Sequence, residues 1–144
     1  MESLTEIEVR YAETDCMGVV YHANYLIYLE VARTEFLIQL GFPYDEIEKA
    51  GYMSPVLHVD LTYGAPFKYG DTIVVRTRVT KATPVKTEYT CEMFLKGEDL
   101  STAKPHFKAV THHCLVERES FKVVSQKKVF PGLYSAYRNA IDPS

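Results

Sequence analysis

The segment RYAETDCMGVVYHANYLIYLEVAR, residues 10–33, carries the end of a strand, a turn holding an acid, and the start of a long helix. Asp15, Gly18 and His22 punctuate the turn. Asn24 is placed as an N-cap ahead of the apolar series Leu26, Leu29, Ala32, Phe36, Leu37 and Leu40, which keeps a helical spacing. Gly41 supplies a C′ residue and Phe42-Pro43 stops the helix. A carboxylate just ahead of a helix N-terminus is a candidate reaction centre. The first helical turn presents unpaired N–H donors and a partial positive charge.

Working outward, Leu4 to Arg10 alternates and predicts a first strand, with Ile7, Val9 and then Tyr11 on the inward face. Beyond the long helix, Pro43 starts a short helix at Tyr44 to Ala50, which Gly51 ends. Val56 to Tyr63 alternates, with Leu57, Val59, Leu61 and Tyr63 sharing a face. Gly64-Ala65-Pro66 breaks it, and Tyr69-Gly70-Asp71 is a turn. Thr72 to Ala82 is rich in β-branched residues and puts Ile73, Val75, Thr77 and Val79 on one face. Lys86 to Leu95 does the same with Tyr89, Cys91, Met93 and Leu95. Lys96 to Asp99 reads as a hairpin loop, followed by a strand from Leu100 to Val116 that Pro105 interrupts as an edge, a bulge or a start at His106. From Glu117 onward the pattern is ambiguous, with a hairpin extension at Phe121 to Val124 and a terminal helix at Leu133 to Ile141. One long helix among antiparallel-looking strands predicts an α+β architecture, with the helix filling the concave side of a curved sheet.

The chain of 144 residues fits a single domain over 1–144 with a substantial core. Apolar residues make up 47% and charged residues 24%, as in ordinary globular proteins. A net charge of −3 leaves no basic footprint for nucleic acid or an anionic membrane. No apolar run approaches the roughly 20 residues of a transmembrane helix, so no membrane insertion is expected. The acidic opening Met1-Glu2-Ser3-Leu4 does not read as a signal peptide. Three scattered cysteines, Cys16, Cys91 and Cys114, argue for reduced thiols in the cytoplasm rather than a disulfide framework. His112 and His113 are adjacent in a strand and face opposite sides, and His58 and His106 have no partner spacing, so no metal is expected. A phosphate-binding G-x-x-x-x-G-K loop is absent from the sequence.

The pairs and runs Arg10-Tyr11, Glu13-Thr14-Asp15, Gly18-Val19-Val20-Tyr21-His22, Asn24-Tyr25 and Glu30-x-Ala32-Arg33 resemble the signature of the hotdog-fold acyl-CoA thioesterases. The match is to the 4-hydroxybenzoyl-CoA thioesterase-like group and its YbgC branch, and it weakens after about Lys96. The resemblance implies an antiparallel sheet wrapped around one long central helix. It also implies an acyl-CoA substrate, no cofactor, and a homodimer, pairing further into a homotetramer, with active sites at the subunit interface. It makes Asp15 the catalytic carboxylate and puts oxyanion-binding N–H groups near residues 22 and 23, with a functional histidine at His22. It sets the aromatic Tyr11 near the acid, and Ala23, Asn24 and Tyr25 along the substrate.

Read from the residues alone, each of these positions has a second reading. Asp15 also suits a plain turn cap, His22 a helix-entry residue, and Tyr11 core packing. Glu13 reads as solvated or salt-bridged, and Glu30 with Arg33 as a surface or interface pair. The resemblance makes Glu30 the back-up base, since another hotdog lineage uses a helix glutamate. Tyr21, Tyr25 and Tyr28 shape an acyl channel or simply pack. Arg76, Arg78, Lys81, Lys86, Lys104 and Lys108 are the cations available to CoA phosphates. The chemistry itself needs little. A thioester requires a base or a carboxylate nucleophile and donors for the oxyanion, and its thiol leaves unaided with a pKa near ~8.5. The alternatives are a hydratase or dehydratase acting on acyl thioesters, and a non-catalytic acyl-CoA binder.

Overall fold

The computed structural model describes residues 1–142; the last two residues of the expected domain, Pro143 and Ser144, lie outside the described residues. The elements in order are β1 (Glu2–Glu8), a 3-10 turn (Tyr11–Glu13), α1 (Asn24–Leu40), α2 (Tyr44–Lys49), β2 (Tyr52–Met53), β3 (Val56–Tyr63), β4 (Thr72–Ala82), β5 (Thr87–Leu95), β6 (Phe107–His113), β7 (Val116–Glu117), α3 (Gln126–Val129) and α4 (Pro131–Ala140). Five strands form one antiparallel sheet in the order β1-β4-β5-β6-β3, and β2 with β7 makes a small separate ribbon.

α1 packs on the concave face of that sheet. Its buried side is Tyr25, Tyr28, Leu29, Ala32, Phe36 and Leu37, joined by the buried Arg33. The apolar series read from the sequence is therefore rotated at its start. Leu26 is 42% exposed, while Tyr25 and Tyr28, with apolar bodies and polar tips, pack inside. The N-terminal half of α1 lies against Ile73, Val75, Met93 and Phe107, and the C-terminal half against Val79, Tyr89, Leu133 and Tyr137. Tyr89 donates its hydroxyl to that of Tyr137 at 3.0 Å, which satisfies a polar tip deep in the second cluster.

Gly41 ends α1 at φ +95°, and the Phe42 N–H reaches back to the Leu37 carbonyl at 2.9 Å, the six-to-one bond of a Schellman cap. The start of α1 differs from the expectation. Ala23 occupies the N-cap position without a side-chain cap, and Asn24 is already helical. The Asn24 amide donates instead to the Glu13 carbonyl at 2.9 Å, across the turn.

Other boundaries shift for identifiable reasons. β1 ends at Glu8, and the chain turns into the 3-10 segment after Val9. That segment carries Tyr11 out to 78% exposure, against the inward face expected for it. The strand expected from Leu100 begins only at Phe107, because Asp99 starts a turn whose carboxylate accepts the Ser101 N–H at 2.9 Å and because Pro105 cannot donate to a ladder. β3 pairs only with β6 and carries an irregularity between Val56 and His58. Val59 and Leu61 are half-buried while Leu57 is 52% exposed. Phe121 to Val124 makes only the isolated bridge between Val116 and Val123. α4 begins at Pro131, where a proline without an N–H sits comfortably in the first turn.

Candidate active site

Thr14 bridges to Val20 and Val19 to Lys68, so residues 14–20 form a small hairpin strapped to the loop before β4. The Asp15 N–H donates to the Val19 carbonyl at 2.9 Å, and the Gly18 N–H to the Asp15 carbonyl at 3.0 Å. Gly18 adopts φ +78°, the left-handed conformation that an amino acid without Cβ reaches without strain. The Asp15 Oδ1 accepts the Met17 N–H at 2.8 Å. The side chain thus does cap its own turn. Its other oxygen, Oδ2, meets no protein donor among the described residues.

The entry to α1 is held from two sides. The Glu13 carbonyl accepts both the Tyr21 N–H and the Asn24 side chain, at 2.9 Å each. The Tyr63 hydroxyl, at the end of β3, donates to the His22 carbonyl at 2.8 Å. The His22–Ala23 peptide is therefore fixed in orientation. Among the described residues neither the His22 nor the Ala23 N–H donates to a protein acceptor, as the orphan donors of a helix start do. The Tyr63 ring packs edge-on to Tyr25, Phe107 and His22, with centroids 5.2, 5.4 and 6.4 Å away.

The sequence-derived candidates divide accordingly. Asp15 lies in the hairpin, and His22 and Ala23 lie at the helix start that follows it. The exposed His22 ring makes no hydrogen bond to Asp15 among the described residues. Tyr11 packs edge-on to Tyr69 at 5.9 Å and makes no hydrogen bond to Asp15 there either. Asn24 is tied to Glu13, and Tyr25 is a core ring at 3% exposure, stacked on Phe107 at 4.9 Å. Of the three tyrosines read as channel or packing residues, Tyr25 and Tyr28 pack and Tyr21 is exposed.

Glu13 is salt-bridged, as one of its readings held. Its carboxylate accepts the Arg10 N–H at 2.8 Å, the Arg10 guanidinium at 3.1 Å and the Tyr28 hydroxyl at 3.1 Å. Partial burial pushes Glu13 upward, but these donors outweigh it and hold the carboxyl below its ordinary range. Burial, then the bond to Glu13, raises the Tyr28 phenol.

A cavity of about 210 Å³ opens along α1 beside β3, lined by Leu26, Leu29, Glu30, Arg33, Val56 and Val59, with Tyr89, Cys91, Thr111 and His113 at its floor. Burial pushes the Cys91 thiol up to about 11, so it stays protonated. Arg33 is 8% exposed. It donates to the Ser54 carbonyl at 3.1 Å, the His113 Nδ1 at 3.0 Å and Glu30 at 3.0 Å. The Glu30–Arg33 pair is thus half inside the protein, which spacing on a helix alone does not reveal. Tyr63, bonded to the His22 carbonyl, and His113, bonded to Arg33, were not placed in the site by the sequence reading. The inward alternation of β3 marked Tyr63 only as packing, and His113 was weighed only as a metal ligand.

Arg76 and Arg78 both bind Glu92 on the far face of the sheet, at 2.8 and 3.4 Å. Among the described residues no group of three or more His, Cys, Asp or Glu converges as metal ligands do. Among the described residues no helix is long and apolar enough to cross a membrane.

A model of the thioesterase-like superfamily matches residues 9–131. The chain belongs to the thioesterase-like superfamily. It is 44% identical to a putative acyl-CoA thioesterase, YneP, of Bacillus subtilis over 96% of both chains. It is 30% identical to the acyl-CoA thioesterase YbgC of Helicobacter pylori strain J99, over 89% of this chain and 96% of that one. A DHNA-CoA thioesterase structure from Staphylococcus aureus superposes with a TM-score of 0.88 at 35% identity, covering 96% of this chain and 89% of the other. The α+β architecture, a sheet wrapped on one long helix, is the hotdog fold of these thioesterases, and the chain is a thioester hydrolase of that family.

Proposed function

We propose that this thioesterase hydrolyses acyl-CoA esters to the free acid and CoA at the junction of the Asp15 hairpin and the start of α1. What supports the reading is a carboxylate with one uncommitted oxygen in the hairpin and, at the helix start that follows it, two uncommitted N–H groups, of His22 and Ala23. In this reading Asp15 takes a proton from water as the water oxygen attacks the thioester carbonyl. The His22 and Ala23 N–H groups hold the oxyanion. The tetrahedral intermediate collapses, the C–S bond breaks, and the CoA thiolate leaves and recovers the proton. Attack by Asp15 itself, through a mixed anhydride, uses the same groups. The His22 ring and Tyr11 stand at the exposed rim, where they contact substrate or water, while Asn24 and Tyr25 act by fixing the helix start.

The assembly is part of the proposal. β3 is an edge strand with Val56 47% and Leu57 52% exposed, and α1 beside it exposes Leu26, Ile27, Val31 and Ile38. Such an edge next to such a stripe suits pairing with a second copy of the chain. A homodimer joined there would bring the α1–β3 seam of each copy to the interface, and a homotetramer would form from two such dimers. The free thiols at Cys16, Cys91 and Cys114 suit a reducing cytoplasm.

Thiol release from a panel of acyl-CoAs, with wild type beside Asp15→Asn, tests the chemistry. The substitution is expected to lower kcat by at least about 100-fold with the fold intact. Equal rates in the two proteins would remove Asp15 from the mechanism.

A further inference from the structure

The segment 63–68 touches both the helix start and the Asp15 hairpin. At its beginning the Tyr63 hydroxyl holds the His22 carbonyl at 2.8 Å. At its end the Phe67 carbonyl accepts the Val20 N–H at 2.9 Å, and Lys68 bridges to Val19, whose carbonyl takes the Asp15 N–H. One short strap therefore ties the oxyanion donors to the acid. Its middle, Gly64, Ala65 and Pro66, is exposed, so its position depends on what grips it from the sheet.

That grip is His106, just before β6. The Gly64 N–H donates to the His106 carbonyl at 2.7 Å, an approach so close that a Cβ on Gly64 would stand 3.0 Å from that oxygen. The His106 ring meets the Ala65 carbonyl through Nδ1 at 3.0 Å. It also stacks on the buried Phe67 ring, with centroids 4.7 Å apart and planes 22° from parallel. Behind the ring, Nε2 lies 3.0 Å from Oε1 of Glu98. The same oxygen accepts the Leu95 N–H at 2.6 Å, which fixes the carboxylate on the loop after β5.

Both ring nitrogens thus face acceptors. A carbonyl can only accept, and so can an ionised carboxylate, so the two bonds exist together only when the ring carries both protons. A ring with one proton sets a lone pair against an oxygen at one end. The other charged side chains on the neighbouring elements are engaged or turned to solvent. Lys96 pairs with Glu6 at 2.8 Å, Asp99 accepts from Ser101, Asp71 accepts the Lys68 N–H, and the side chains of Lys68, Lys104 and Lys108 are exposed. Among the described residues Glu98 is the only carboxylate that pairs with the ring.

We propose that His106, oriented by Glu98, is a positioning residue of the thioesterase site: with both ring nitrogens donating, it grips the strap 63–68 and so sets the Asp15 hairpin against the N–H donors of the helix start. His106 thereby adds to the thioesterase reading, on which the inference rests, a group that acts without touching substrate. Loss of the donor at Ala65 frees the strap at its middle, and the two halves of the site shift against each other. A misplacement of about 1 Å costs about 100-fold in rate.

Steady-state kinetics on the acyl-CoA that wild type turns over fastest test this. His106→Phe keeps a ring over Phe67 and removes both bonds. It is expected to lower kcat by about 10- to 100-fold with KM within about twofold of wild type. His106→Asn, whose amide N–H falls near the place of Nδ1, should be at least about threefold faster than His106→Phe. Glu98→Gln changes a side chain that is 32% exposed, spares the stacked ring, and should lower kcat by about 3- to 10-fold. In wild type, kcat should fall at high pH with the midpoint at which nitrogen NMR sees the His106 ring lose a proton. Glu98→Gln should move both midpoints down together, because the carboxylate that favours the charged ring is gone. An unchanged kcat in His106→Phe and Glu98→Gln, an effect confined to KM, a His106→Asn slower than His106→Phe, or a rate limb that ignores the ring's titration would each overturn the proposal. Where His106→Phe fails to fold, Glu98→Gln and the wild-type midpoints decide it. Asp15→Asn is measured in parallel. Hydrolysis that needs Asp15 but not His106 overturns this inference alone. No hydrolysis, or hydrolysis indifferent to Asp15→Asn, overturns the site on which it stands.

Discussion

The Tyr63 hydroxyl donates to the His22 carbonyl across 2.8 Å, joining the end of the edge strand to the start of the central helix. That carbonyl and the Ala23 N–H belong to one peptide unit. A donor on its oxygen polarises the unit and strengthens the N–H as a donor. Tyr63→Phe keeps the ring packing and removes only this bond. Steady-state kinetics of the variant should show kcat lower by about 10-fold with KM within about twofold of wild type. A rise in KM at constant kcat would mean that Tyr63 serves binding alone.

Glu13 holds the strand end that leads into the Asp15 hairpin, and it is the acceptor for the buried Tyr28 hydroxyl. Glu13→Ala leaves that hydroxyl unpaired and is expected to cost about 1–3 kcal/mol in urea unfolding. Glu13→Gln retains an acceptor and should cost less than about 1 kcal/mol, because Arg10, the ionic partner, is largely exposed. Equal losses in the two variants would show that charge, not the Tyr28 bond, is what matters.

The same carboxyl and His113 shape stability in acid. Burial, then the neighbouring Arg33, lowers His113 from 6.5 to about 3. Below the ordinary value the unfolded chain takes a proton that the native imidazole refuses, so acid favours unfolding. Stability should fall by about 1.4 kcal/mol per pH unit as pH drops below about 6.5. Glu13 is depressed in the folded state, so its contribution is present above 4.5 and is lost as pH falls through its lowered value. Unfolding free energies between pH 7 and 5 isolate the histidine, and His113→Asn should flatten that slope. An unchanged slope in the variant would refute the assignment.

Phe36 has no exposed surface and meets the Tyr89 ring edge-on at 5.6 Å. Phe36→Ala should cost about 3–5 kcal/mol in chemical denaturation, as a cavity opens between α1 and the sheet. A loss under about 1 kcal/mol would mean that α4 and the sheet collapse into the space.

Local order explains what could be read in advance. The span of α1, its stop at Gly41, the alternation of β4 and β5, and the Asp15–Gly18 turn depend on residues close in sequence, where helical period, pleat and left-handed glycine leave direct marks. The Asp15 turn and the helix start were legible as elements for the same reason, while their reading as a site came from the family resemblance. Local order also misled where two local choices compete. Asn24 has the composition of a cap but binds the Glu13 carbonyl instead, and Leu26 yields the buried stripe to Tyr25, whose ring finds Phe107 and Tyr63.

By itself the sequence determined the long helix and the main strands, the α+β class and the turn that carries Asp15. Only the tertiary structure decided the sheet order β1-β4-β5-β6-β3, the clamp of Tyr63 on His22 across 41 residues, and the union of Arg33 with His113 across 80. Periodicity says which face of an element is apolar, but not which distant element will cover it. A buried charge such as Arg33 is settled only by the acceptors that meet it after the chain has closed.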